Sequence, residues 1–258
     1  MLFRSGAAPP APAAPSQVDE TLADGTRFTG VFALDKASRM FSGRGLIRWT
    51  NGDEYEGDLD QGKRQGQGRF SWPGGQRYEG DWDQDQPHGK GQMRYPNGNV
   101  FQGPFVRGEP QGEGLMTYAG GDRYQGTLQR GVPHGAGTYT WTNGQVCTCR
   151  WDQGVAQGPG EMRFASGNVY KGGLKAGTPE GQGRMQFASG EVYEGQFAAG
   201  VFQGRGRYEW TNGDRYEGQW KDGRKDGQGE MRWKDGRRWV GVFKDDEQAD
   251  GEMFEAGR

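Results

Sequence analysis

The sequence predicts an all-β fold: a single-layer, elongated antiparallel sheet, a solenoid built from tandem 23-residue β-hairpins. Three observations lead there. Glycine recurs at Gly52, Gly75, Gly98, Gly121, Gly144, Gly167, Gly190, Gly213 and Gly236, every 23 residues without one insertion or deletion. Within each interval, large or small residues alternate with polar ones in two blocks, the period of a half-buried strand. The composition excludes both an ordinary globular core and a disordered chain. With 50 glycines in 258 residues, 31% apolar residues and a mean hydropathy of −1.02, the protein cannot fill a thick aliphatic core. Its 9 Trp, 10 Tyr and 13 Phe are too many for a disordered, charged tail.

Taken in order, residues 1–22 form an Ala/Pro-rich stretch with no acid before Asp19, read as a disordered leader with the weak character of a transit peptide. Residues 23–51 carry a divergent first unit, with Phe28, Gly30 and Phe32, then Gly43, Gly45, Ile47 and Trp49, and a turn four residues longer than the others. Residues 52–235 hold eight regular units, and 236–258 a drifting last unit in which Asp246 and Asp250 stand where Gly is usual. Atypical end units suit a solenoid, which must cap its open edges.

Counting from Gly52, the fourth position is aromatic in Tyr55, Tyr78, Phe101, Tyr124, Tyr170, Tyr193, Tyr216 and Trp239, and Cys147 is the exception. The sixth is glycine except at Cys149, and the eighth is large and apolar, as in Leu59, Trp82, Phe105, Phe197 and Trp220. A turn segment such as Asp60 to Gln65 follows, then paired glycines (Gly66 and Gly68), then two more large residues (Phe70 and Trp72). Asn51-Gly52, Asn97-Gly98, Asn143-Gly144 and Asn212-Gly213 join the units, a hairpin signal because both residue types tolerate positive φ. Keeping every ring on one side of the sheet requires a bulge or an odd turn at these joints.

The runs Tyr78-Glu79-Gly80-Asp81-Trp82 with Gly89-Lys90-Gly91-Gln92-Met93, and Tyr216-Glu217-Gly218-Gln219-Trp220 with Gly227-Gln228-Gly229-Glu230-Met231, resemble the MORN (membrane occupation and recognition nexus) repeat. The resemblance covers about residues 52–254. It implies a non-catalytic scaffold for protein–protein interaction, of the kind found in cytoskeletal and ciliary assemblies such as radial spokes. Lipid binding is the lesser implication, as in a peripheral membrane adaptor, and an accessory subunit of an enzyme complex is a third.

The residues themselves offer little chemistry. A net charge of −2, from 32 basic and 34 acidic residues, provides no global field for nucleic acid or an anionic membrane. No apolar run is long enough to cross a bilayer, and two cysteines are too few for a disulfide framework. His88 and His134 fall two units apart at turn-like positions, without a third ligand. The repeated Gly-x-Gly pairs lack the lysine of a phosphate loop. No catalytic, cofactor or metal site is therefore expected. Cys147 and Cys149 project the same way from one strand, a poor geometry for a disulfide, and read as a packing variant.

Acids on first strands (Glu56, Glu79, Glu194, Glu217) and arginines on second strands (Arg69, Arg94, Arg184, Arg207) are expected to pair across the sheet, solvated. The aromatic face is expected to be a shallow, partly exposed groove holding an extended peptide or helix from a partner protein. Its contact residues would be Tyr78, Trp82, Phe101, Phe105, Tyr124, Tyr193, Phe197, Tyr216 and Trp220, with Phe202, a large ring in a turn, either a further contact or packed against its own hairpin.

Overall fold

A computed structural model describes residues 14–35 and 40–256. Among the described residues there are 22 strands and no helix. They fall into two compact units, Met1–Ala119 and Gly120–Arg258. The first carries the strands from Ser16–Thr21 to Gly112–Thr117, the second those from Arg123–Gln129 to Glu247–Phe254. Inside each unit the strands pair antiparallel with their sequence neighbours, save that Glu109–Pro110 and Gly112–Thr117 both pair with Val100–Val106 as one interrupted strand, so each unit is a run of hairpins and its core is one face of a sheet.

Residues 1–13 and the long turn of the first hairpin (36–39) lie outside the described residues. Ser16–Thr21, which composition assigns to the leader, is a strand paired with Arg27–Leu34. Residues 16–21 are therefore ordered, against the disorder their composition suggests. The drifting C-terminal unit keeps the hairpin, with Arg238–Lys244 paired to Glu247–Phe254.

Two kinds of turn alternate. Inside a repeat the turn is only two residues, both with positive φ, for example Gln61 (φ 47) and Gly62 (φ 76), flanked by the pair Asp60 and Lys63. That is the type I′ geometry whose twist matches paired strands. The segment Lys63 to Gln65, turn-like in composition, is strand, and His88 and His134 likewise stand in strands, Gln86–Arg94 and Val132–Thr140. Glycine and proline mask the alternation there. The last such turn, Asp245 (φ 49) and Asp246 (φ 75), makes it without glycine.

Between repeats the connection is a three-residue turn. Gly52 donates its N–H to the Trp49 carbonyl at 3.0 Å and Trp49 donates to the Asp53 carbonyl at 3.0 Å. Only Gly52 takes positive φ, at 89°. Asn51 is used for its side chain instead, whose oxygen accepts the Asp53 N–H at 3.0 Å. This odd turn is where the sequence required one.

A second irregularity keeps the faces in phase. Gly57 pairs with Gly68 but Leu59 pairs with Arg64, so two steps on one strand face four on the other. The excess is even, and side-chain parity survives it. The same shift recurs beyond Gly80, Gly126, Gly172 and Gly218. Opposite it sits a left-handed glycine, such as Gly66 (φ 66) or Gly89 (φ 61).

Candidate functional site

The packing of one regular repeat explains most of the sequence. Glycines run as a row across the strands of the first compact unit, Gly45 opposite Gly57, Gly68 opposite Gly80, Gly91 opposite Gly103. A tyrosine ring lies flat over each regular segment of such a row. A Cβ added to Gly68 would sit 2.4 Å from the Tyr55 hydroxyl, and one added to Gly229 would sit 2.4 Å from that of Tyr216. The glycines are there to admit the rings.

Each tyrosine hydroxyl then donates to a carbonyl in the shifted stretch: Tyr55 to Asp58 at 2.7 Å, Tyr78 to Asp81 at 2.7 Å, Tyr193 to Gln196 at 2.9 Å, Tyr216 to Gln219 at 2.9 Å. The bond satisfies a carbonyl that the broken ladder leaves over. Burial pushes the phenol of Tyr193 up to about 12, and raises those of Tyr55, Tyr78 and Tyr216 further. The eighth-position ring of the next repeat packs edge-on against two tyrosines at once. Trp220 lies 5.3 Å from Tyr193 and 5.2 Å from Tyr216, and its indole N–H donates to the Gly206 carbonyl at 3.0 Å.

This packing buries the residues expected to form the contact surface. Tyr78, Phe101, Tyr124, Tyr193 and Tyr216 are 0% exposed, Phe105 is 1%, Trp82 and Phe197 are 3%, and Trp220 is 6%. These nine rings form the core of the hairpin array and have almost no surface to offer a partner. A single-layer sheet implies an open aromatic face, but rings lying flat on glycine cover one another. Of the two readings of Phe202 the structure takes self-packing: it lies in the strand Val201–Glu209 and stacks on Tyr193 at 3.7 Å, with 10° between the rings. Its position in the repeat is a lid over the tyrosine, filled elsewhere by Lys225 (Nζ 5.8 Å from the Tyr216 ring) or by proline.

A different set of rings stays partly open in a regular way, one per repeat, where the second strand enters the turn between repeats. These are Trp49, Trp72, Tyr95 and Tyr118 in the first compact unit, and Trp141, Phe164, Phe187, Trp210 and Trp233 in the second, all half-buried. Several are held from below by their own strand: Trp72 by Phe70 at 4.4 Å, Trp141 by Tyr139 at 4.5 Å, Trp210 by Tyr208 at 4.7 Å. The signal is in the sequence, since these are the last large residues of each repeat, yet the pattern does not separate them from the core rings. Successive turns are stitched together, as where Lys234 N–H donates to Asp214 at 2.8 Å and Ala188 N–H to Asn168 at 3.0 Å. The rings are therefore mounted on a braced edge.

The opposite face is polar, with two pairing modes. Arg69 bridges across strands to Glu56 at 2.6 Å and Lys171 to Glu161 at 3.0 Å, as expected of cross-strand charges. Arg163, Arg207 and Arg77 instead reach an acid two residues along their own strand, at 2.8, 2.8 and 3.2 Å. Exposed pairs of this kind contribute little to stability, about 0–1 kcal/mol each. They neutralise one another locally. No group of three or more His, Cys, Asp or Glu able to hold a metal occurs among the described residues, where no helix is long and apolar enough to cross a membrane.

One hairpin departs from the pattern. In Val146–Asp152 paired with Val155–Arg163, Cys147 replaces the tyrosine and Cys149 the glycine beneath it. Both are buried, and their sulfurs are 2.8 Å apart.

Comparison with known proteins accords with this architecture. The profile of the MORN repeat matches eight consecutive segments: 55–77, 78–100, 101–123, 124–146, 150–169, 170–192, 193–215 and 216–237. The chain belongs to the MORN repeat family. The match passes over residues 147–149, the segment of the two cysteines. No curated protein matches the sequence. Among solved structures, the microcephaly protein CPAP G-box domain is similar at 15% identity and a TM-score of 0.47, over 73% of this chain and 97% of that one. The SAS-4 TCP domain of Drosophila melanogaster, solved in complex with a proline-rich motif of Ana2, is similar at 16% identity and a TM-score of 0.39, over 60% of this chain and 85% of that one.

Proposed function

We propose that this MORN array is a non-catalytic scaffold that holds other protein subunits of a larger assembly, cytoskeletal or ciliary in kind, along the half-buried rings at the turns between its repeats. The observation that carries the reading is that set of rings. One ring per hairpin is left partly open, at the same place in successive repeats, while the first-strand rings from Tyr55 to Phe243 are sealed.

The spacing also favours one shape of ligand. Neighbouring strands lie about 4.8 Å apart, so successive hairpins present a ring about every 9.6 Å. A polyproline II helix advances about 9.3 Å in each three-residue turn and would bring one proline to each ring. An α-helix, with a pitch of about 5.4 Å, meets that spacing less well. Extended proline-rich segments also lose little entropy on docking to aromatic grooves.

The test is direct binding. A synthetic peptide with proline at every third position is titrated against the whole chain, followed by tryptophan fluorescence. The same is done with a variant carrying Trp72→Ser, Trp141→Ser and Trp210→Ser. Saturable binding that the variant loses, with unchanged circular dichroism, supports the reading. Binding that persists in the variant removes the ring row from it. Co-sedimentation with phosphatidylserine vesicles, in the absence of peptide binding, would move the function to the membrane adaptor.

A further inference from the structure

Cys147 and Cys149 lie outside the function proposed above, and their arrangement is more specific than a packing variant requires. They occupy positions where the other repeats place a tyrosine over a glycine, and an alanine or serine at either would also be small enough. Instead both are thiols, both are free, and both face the same side of the strand Val146–Asp152. Their sulfurs stand 2.8 Å apart, in contact and short of bonding. Two residues along a strand separate Cα atoms by about 6.7 Å, at the outer limit of what a disulfide spans. The side chains have already turned towards each other to cover that span.

We propose that Cys147 and Cys149 form a reversible dithiol–disulfide couple within this one hairpin, oxidised by a peroxide and reset by a cellular dithiol. The chemistry balances with two electrons. The Cys147 thiolate attacks one oxygen of hydrogen peroxide, the O–O bond breaks, and Cys147 becomes a sulfenic acid while the other oxygen leaves as hydroxide, which takes up the proton the Cys147 thiol gave up and becomes water. The Cys149 sulfur then displaces the sulfenic hydroxyl, forming the S–S bond. The thiol proton of Cys149 leaves with that hydroxyl as a second water. Reduction returns two electrons and two protons from a dithiol, which itself becomes a disulfide.

Either sulfur can donate in the contact between them, and the electrostatics favour Cys147 as the first thiolate. The hydrogen bond from Cys149 holds the Cys147 thiol below its ordinary range, against the opposing effect of burial. The same bond, together with burial, pushes the Cys149 thiol far up. Cys147 is the nucleophile and Cys149 the resolving residue. Closing the bond needs the sulfurs to approach by less than about 1 Å, from 2.8 Å to the roughly 2.05 Å of a disulfide. The sheet does not have to open to accommodate the product. Because the span is near its limit the disulfide is strained, and strained disulfides are the readily reduced ones. Access is the slow step, since Cys147 is 0% and Cys149 7% exposed.

The experiment uses the whole chain. The folded protein is treated with hydrogen peroxide, quenched in acid, alkylated and weighed intact. The same treatment is given to Cys147→Ser and Cys149→Ser. The expected product has lost two hydrogen atoms, resists alkylation at both cysteines, runs as a monomer on a non-reducing gel, and reverts with dithiothreitol. Each serine variant fails to give it, and circular dichroism is unchanged throughout. Thiols that stay fully alkylatable, adducts confined to sulfinic or sulfonic acids, or cross-linking between chains would each overturn the couple.

Discussion

The hairpin Arg215–Lys221 with Arg224–Arg232 and the hairpin Val146–Asp152 with Val155–Arg163 have the same length, the same two-residue turn and the same position in the repeat. In the first, Tyr216 lies over Gly218 and Gly229, those glycines face each other in the ladder, and the hydroxyl reaches the Gln219 carbonyl. In the second the ring and its hydroxyl are gone. The ladder parts one residue sooner, passing from Thr148–Glu161 to Arg150–Gln157, because the Cys149 side chain stands where Gly160 would otherwise pair. The register shift survives nonetheless. It is therefore set by the backbone, through the left-handed glycine (Gly158, φ 68) and the tight turn, and the tyrosine hydroxyl only satisfies what the shift exposes. What the fold demands over the glycine row is filled volume.

The comparison can be broken most sharply by removing that volume. Tyr216→Ala is expected to destabilise its repeat by about 3–5 kcal/mol, the cost of deleting a fully buried ring, read as a fall in thermal unfolding temperature. A change near zero would mean that the ring is dispensable and the buried row is not a core. Overfilling the same space comes next. Gly229→Ala puts a Cβ within 2.4 Å of the Tyr216 hydroxyl and should cost about 1–3 kcal/mol, whereas Gly74→Ala, with nothing within 4 Å, should stay within about 0.5 kcal/mol of wild type. Equal effects at the two sites would refute the ring-on-glycine packing.

The cysteine hairpin can be converted towards the regular one. Cys147→Tyr alone drives a ring into the Cys149 side chain, and Cys149→Gly alone leaves a gap. The double substitution should recover about 0.5–3 kcal/mol relative to the sum of the two, measured as a double-mutant cycle in urea. Additive effects would show that the two positions do not share one volume. Smaller still is Tyr216→Phe, which keeps the ring and deletes the bond to Gln219. About 1 kcal/mol is expected, and Phe101 shows that a repeat tolerates the loss.

The buried phenols also fix a pH dependence. A tyrosine titrates near 10.0 when unfolded, and Tyr193 near 12 in the fold, so between those values the unfolded chain gives up protons that the folded chain retains. The stability due to burial is complete below pH 10.0 and is lost as pH rises towards about 12, with Tyr55, Tyr78 and Tyr216 adding to the slope. Unfolding temperature should be level through neutral pH and fall on entering that window. A profile that stays flat through it would place these hydroxyls in water.

The sequence by itself determined the repeat, its period and its β-hairpin character. Those are local matters: alternation sets which side chains share a face, and Asn-Gly sets where the chain reverses. It also determined that the rings and glycines belong together, because a ring and a glycine, as in Tyr55 and Gly57 or Tyr216 and Gly218, stand two apart in every regular repeat but the one with Cys147 and Cys149. Only the tertiary structure decided which rings are sealed and which are left open. Tyr216 and Trp233 look alike in the one-dimensional pattern, yet the first is enclosed by Trp220 of its own strand and by Phe243, brought to it by the strand Arg238–Lys244, while the second is left half-buried where its strand runs into the turn. The sequence also could not show that the sulfurs of Cys147 and Cys149 meet, since side chains that share a face can lie side by side or turn together. Exposure and contact depend on what neighbouring strands deliver, and that depends on register between hairpins, which no single repeat contains.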